Sequence, residues 1–276
     1  SSDPADVDEE APAPNRTEAA VTYVFDGDSI EVEIEGRAVW VKQDQLFSSG
    51  SYKDRGAALL ISKAVELAHK HDTGLHVHVA EDRADQEDAL AKYGKRVVER
   101  FHEVGVLALP KSILGHCIHL SDREKQLLAD SGVWVVQNVE SNQNNNVGVT
   151  GYADLSAHLM LGTDGMHCDM LRSAKAAFLA GQATEGIGFD GIYDRFRNVH
   201  RYIQGFGGGG DGDNNLVVLN YDAPTELTAD NFLGHFVYGL DARHVETVIA
   251  KGRVIVERGL VTRVDEHEVL AFARDM

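Results

Sequence analysis

From Ala57 onward, apolar positions recur at helical spacing and alternate with short β-branched runs, so that helix and strand follow each other along the chain. The pattern predicts helices over 57–71, 84–104, 121–131 and 169–180, with a short one near 153–158. The strands it predicts between them are 75–80, 112–117, Val133 to Asn138 and Leu159 to Thr163. Four strand–helix units in succession imply a parallel sheet with right-handed crossovers, an α/β fold.

The pattern differs on either side of this stretch. Val21 to Val41 alternates with a period of two. Asp26-Gly27 and Glu35-Gly36 punctuate it as turns, which predicts two or three short antiparallel strands. After Gly205 to Gly212, read as a loop, Leu216 to Tyr221 and Val245 to Val264 predict antiparallel hairpins. Their turns fall at Lys251-Gly252 and Arg258-Gly259, and a final helix follows. The expected organisation is therefore a disordered acidic leader over 1–18 and a β-hairpin segment over 19–50. A strand–helix region over 57–204 and C-terminal strands with a terminal helix over 213–276 complete it.

Composition narrows the partners. The chain of 276 residues carries 44 acidic against 26 basic side chains, a net charge of −18, and the acids lean towards Asp. Such a balance argues against nucleic acid or an anionic membrane as a partner and suits solubility at high salt. No apolar stretch approaches a membrane span. Cys117 and Cys168 form no disulfide framework, which fits a reducing compartment and leads to an expected cytoplasmic location.

Chemistry gathers where the strands end. In parallel α/β folds the C-terminal strand ends share one rim, and ligands bind there. HVHVAE places His78 three residues before Glu81. A neutral imidazole there can bind a metal while the carboxylate carries a proton; the bland alternative is a buried His and a solvated Glu at a helix start. His76 shares a strand face with His78 and reads as a core histidine. LGHCIH places His116 at the next strand end, as a metal ligand or a partner for an attacking water, while His119 caps or packs beside the helix begun by Ser121 and Cys117 fills core. LGTDG places Asp164 at the last end, as a ligand or an Asx-turn residue. Asp169 reads as a helix start. The polar loop Ser141 to Gly148 either contacts substrate or is simply a turn.

These strings sit inside longer ones: GLHVHVAED, ILGHCIHLSDREKQLLADSGVWVVQN with SN following, LMLGTDGMHCDML, NNLVVLNYDAPTELTADNFLGHFVYGL and VIAKGRVIVERG. In this order they resemble the later half of the amidohydrolase superfamily, over about four-fifths of the chain. The nearest likeness is the aminohydrolase branch that includes cytosine, guanine and S-adenosylhomocysteine deaminases, triazine chlorohydrolases and a selenium-metabolism aminohydrolase. The resemblance implies a partial (β/α)8 barrel of about four units closed by β-sandwich strands. It also implies one divalent metal, zinc or iron, and hydrolysis of a non-peptide C–N bond in a small heterocyclic substrate. Carried over residue by residue, His78 and Asp164 match metal ligands. Glu81 matches the proton shuttle and His116 the histidine that orients water or substrate, with Ser141 and Asn142 as substrate-binding residues.

Two departures qualify that expectation. The family carries a His-x-His pair on its first strand, and no histidine lies upstream of Ala57; its His-Asn-Pro before the SN loop reads Gln137-Asn138-Val139. Ala19 to Lys42 is instead similar to the opening of thermonuclease domains, which would put Asp28 at a metal-binding position. That likeness ends after about 25 residues, and an ordinary hairpin with a DG turn accounts for the segment better. The expected function is a metal-dependent C–N hydrolase, acting as a homo-oligomer or with a complementing chain that supplies the missing ligands. The alternative is a truncated, inactive remnant or a binding module.

Overall fold

A computed structural model describes residues 20–26, 29–34, 37–42, 57–207 and 214–275. The chain divides into two compact units, Ser1–Ile61 and Ser62–Met276. In the first, β1 (Ala20–Asp26), β2 (Ser29–Ile34) and β3 (Arg37–Lys42) form an antiparallel sheet in sequence order. Ile30 pairs with Val41 and Val32 with Val39, so the period-two pattern becomes a meander. The turn residues Gly27, Glu35 and Gly36, the proposed leader and Asp28 lie outside the described residues.

In the second unit, after α1 (Ala57–Lys70), a parallel sheet runs in the order β4 (His76–Val79), β5 (Ile113–His116), β6 (Trp134–Gln137) and β7 (Leu159–Leu161). His78 lies opposite Gly115 and Val79 opposite His116, so the C-terminal ends of β4 and β5 are level. Val79, Leu114, Val133, Val135 and Leu159 are buried and supply the core of the sheet. Burying one such side chain stabilises by about 1.5–3 kcal/mol.

The helices follow the apolar pattern with instructive exceptions. The stretch expected as one helix over 84–104 is two, α2 (Arg83–Tyr93) and α3 (Val97–Glu103). Gly94 ends α2 in a left-handed conformation, φ +66°, as glycine does most easily. α4 (Asp122–Ala129) starts from a capping box of Ser121 and Glu124, and α6 (Met170–Thr184) from Asp169, whose carboxylate accepts two backbone N–H groups. The polar stretch read as a loop at Ser141 is instead helical, as part of α5 (Val139–Asn144). α7 (Phe189–Gly205), absent from the pattern reading, follows α6 and packs on β7, where Asn198 donates to the Leu159 carbonyl at 2.8 Å.

Towards the C-terminus, α8 (Phe232–Gly234) runs into a π-helical turn over His235–Gly239. β8 (Leu216–Leu219), β9 (Val245–Ala250), β10 (Arg253–Glu257) and β11 (Leu260–Val261) form an antiparallel sheet in the order β11-β10-β9-β8. The two anticipated turns are present, with positive φ at Lys251, Gly252, Arg258 and Gly259, as two-residue hairpin turns require. α9 (Glu266–Asp275) is the final helix.

Candidate active site

Three strand ends of the parallel sheet share an unusual backbone. Ala80 after β4, His116 and Cys117 at the end of β5, and Asp164 after β7 all have φ between +48° and +67° without being glycine. Each costs of order 1–3 kcal/mol and persists only where the surroundings hold it; such residues concentrate at functional sites. The strained positions are where the sequence places its chemistry.

His116 is the centre. It is fully buried, and its Nδ1 lies 2.7 Å from Asn142 Oδ1. With the amide oxygen as acceptor, Nδ1–H donates and leaves Nε2 with a free lone pair. That Nε2 is buried without a hydrogen-bond partner among the described residues. It lies 3.6 Å from Glu81 Oε2 and 3.8 Å from Asp164 Oδ2. The His78 ring stands edge-on to it, centroids 4.9 Å apart. Potential ligand atoms of His78, Glu81 and His116 fall within 4.8 Å of one another. His78, Glu81 and His116 thus meet in one place, and Asp164 reaches this group at the His116 ring.

The short helix α5 ties these ends together. Ser141 Oγ donates to Asp164 Oδ2 at 2.6 Å, Asn142 holds the His116 ring, and Asn145, just past the helix, donates through Nδ2 to Glu81 Oε1 at 3.1 Å. Ser141 and Asn142, expected to touch substrate, are themselves buried and engaged with site residues. The Ser141 hydroxyl holds the Asp164 carboxyl below the usual aspartate range; partial burial opposes this, while the Gly165 N–H and the imidazoles of His116 and His78 reinforce it. One position before Ser141, Glu140 accepts from His167 Nε2 at 2.6 Å and from Arg172 Nε at 2.8 Å. Partial burial disfavours its charge, but those two partners outweigh it and lower its pKa.

Neighbouring expectations resolve individually. His76 is exposed rather than core, because β4 leaves that position uncovered. Cys117 is buried, and burial, with Glu124 nearby, pushes its thiol pKa up. His119 lies beside α4 with its ring nitrogen 2.7 Å from the Val147 carbonyl oxygen. Residues the pattern reading did not single out are Asn145, Glu140 and Tyr152, whose phenol reaches the His116 carbonyl. The run Asn144–Asn146 and the Glu immediately before Ser141 were the available signals.

A family model spans the part of the chain that holds these strand ends. The model for the amidohydrolase family aligns with residues 30–189, more than half the chain. The chain belongs to the amidohydrolase family. The match begins inside β2, so it takes in part of the hairpin segment that the residue pattern set apart. Among named relatives, a 5-methylthioadenosine/S-adenosylhomocysteine deaminase of Desulforamulus reducens is 26% identical over 240 residues, spanning 78% of this chain and 53% of that protein. A 5'-deoxyadenosine deaminase of Methanothermobacter thermautotrophicus is 30% identical over 229 residues, with 78% and 53% covered. In fold, the chain is similar to an adenosine deaminase from Xanthomonas campestris solved with bound zinc. The TM-score is 0.69 at 22% identity, covering 79% of this chain and 53% of that one. The chain therefore spans about half the length of the relatives it matches, and its parallel sheet with flanking helices is the corresponding part of the amidohydrolase fold.

Proposed function

We propose that this chain carries the strand-end half of a metal-dependent hydrolase site that cleaves a non-peptide C–N bond in a small heterocyclic amine. The observation that carries the reading is the buried Nε2 of His116, without a hydrogen-bond partner among the described residues and facing two carboxylates beside a second imidazole. That donor set fits a divalent cation. Tetrahedral zinc with bonds of about 2.1 Å sets its ligand atoms about 3.4 Å apart, close to the 3.6 and 3.8 Å at which Glu81 Oε2 and Asp164 Oδ2 stand from His116 Nε2. Imidazole and carboxylate donors are ligand types that both zinc and ferrous iron accept.

In this reading His78 and Asp164 hold the ion, and the lowered pKa of Asp164 keeps its carboxylate available as a ligand. A bound cation supplies electrophilic assistance and lowers the pKa of water at the site. Glu81, held by Asn145, accepts the proton from the attacking water and returns it to the departing nitrogen as the C–N bond breaks. His116, its tautomer set by Asn142, orients the water or the substrate through Nε2. Ser141 and Asn142 border the substrate while holding Asp164 and His116. The names of the relatives favour a purine nucleoside, with ammonia as the second product.

We place the metal-binding part in 57–204. The net charge of −18 favours a salty cytoplasm as the working medium. No helix among the described residues is long and apolar enough to cross a membrane. Ammonia release from 6-aminopurine nucleosides by the zinc- or iron-loaded protein tests the activity. Glu81→Gln is expected to lower kcat by about 10²–10⁴ while leaving metal content unchanged. Metal lost together with activity would instead make Glu81 a ligand.

A further inference from the structure

We propose that Tyr152 is a positioning residue for His116, holding the strained backbone that aims the imidazole into the site. Tyr152 stands just before a short 3-10 segment (Ala153–His158), is 3% exposed, and donates its phenol O–H to the His116 carbonyl at 2.6 Å. At that point two consecutive non-glycine residues, His116 and Cys117, are left-handed, with φ of +67° and +52°. Such a turn needs external support, and the phenol supplies a bond to it from outside the sheet.

Tyr152 is itself anchored. Its backbone N–H donates to Glu185 Oε2 at 2.9 Å, and Arg195 Nη1 donates to Glu185 Oε1 at 2.7 Å. The same nitrogen lies 3.2 Å from Gln137 Oε1, at the end of β6. The Arg195–Glu185 pair is almost completely buried. Desolvating both ions is costly, and removing one partner strands the other, so such a pair fixes position more reliably than it adds stability. The result is a chain of hydrogen bonds from Arg195 on α7 through Glu185 and Tyr152 to the His116 carbonyl. His116 is thereby held at two points, its carbonyl by Tyr152 and its Nδ1 by Asn142, and Nε2 is left with one direction in which to point.

The proposal rests on the reading of His116 as a site residue, but its test needs neither metal nor substrate. The protein labelled with 15N,13C-histidine is observed by NMR at a pH where the imidazole is neutral, and the His116 signals are assigned by their loss in His116→Gln. The wild-type ring is expected to show the single Nδ1–H tautomer. In Tyr152→Phe, which removes one oxygen, the His116 signals are expected to shift to a mixed-tautomer pattern while the remaining histidines stay in place. In an active loaded enzyme, kcat would fall about tenfold or more with KM within about twofold. His116 signals unchanged in a folded Tyr152→Phe protein, or a mixed tautomer already in the wild type, would overturn the proposal. A Tyr152→Phe chain that fails to fold is replaced by Glu185→Gln, which keeps the phenol and loosens its anchor. There a smaller shift of the same signals supports the proposal and none contradicts it. Absence of turnover in the wild type would count against the hydrolase reading alone and leave the ring pattern decisive for Tyr152.

Discussion

Single residues in this molecule divide into those that hold charge in place and those that would use it. Glu124 belongs to the first kind. Its carboxylate is fully buried, with Arg96, Gln86, the Ser121 N–H and hydroxyl, and the Val98 N–H as partners. Burial works against its charge, but the hydrogen bonds from Ser121, Arg96, Val98 and Gln86 prevail and lower its pKa. A lowered folded-state pKa contributes stability that is complete above the unfolded value and is lost as pH falls through the folded one. Glu124→Gln is therefore expected to cost about 2–3 kcal/mol at neutral pH. It should also flatten the loss of stability below about pH 4.3. Urea unfolding at several pH values checks this, and an unchanged acid limb in the variant would refute it. At this scale the sequence was readable where a residue type is costly without a purpose: His78, Glu81, His116 and Asp164 were all visible at strand ends. Tyr152 and Asn145 were not, because an ordinary polar side chain declares its role only through the partner that folding brings to it.

At the scale of elements, periodicity located the four parallel strands and the C-terminal hairpins, because alternation and glycine turns are local signals. It failed where the decisive contact is distant. α5 reads as a polar loop, since its burial comes from the strand ends it bridges and not from an apolar face of its own. The break between α2 and α3 hangs on Gly94 alone, within an otherwise continuous helical pattern. The β6–β7 contact makes a sharper demand: a Cβ at Gly162 would overlap Asn138 Oδ1 and the Val136 side chain. Gly162→Ala is expected to destabilise the fold by about 1–3 kcal/mol, measured by denaturant unfolding. A loss below about 0.5 kcal/mol, the range of a neutral surface change, would show that this approach is looser than the structure has it.

For the whole molecule, charge and completeness matter most. With a net charge of −18, self-repulsion should weaken as salt shortens the screening length from about 10 Å at 0.1 M to about 3 Å at 1 M. Tm is expected to rise by about 5 °C over that range, equivalent to about 1–2 kcal/mol, and to respond alike to sodium and potassium chloride. A Tm that falls or stays level would remove the argument for a salty medium. The family membership accounts for the parallel sheet, while the chain spans about half of its relatives' length. Whether this rim works as a metal site is decided most directly by the metal content of the purified chain after loading with zinc or ferrous iron and removal of the excess. Close to one equivalent per assembled site is expected, lost in Asp164→Ala although that variant remains folded. Less than about a tenth of an equivalent in the wild type, with or without a complementing chain, would contradict it, because an assembled site binds such ions tightly.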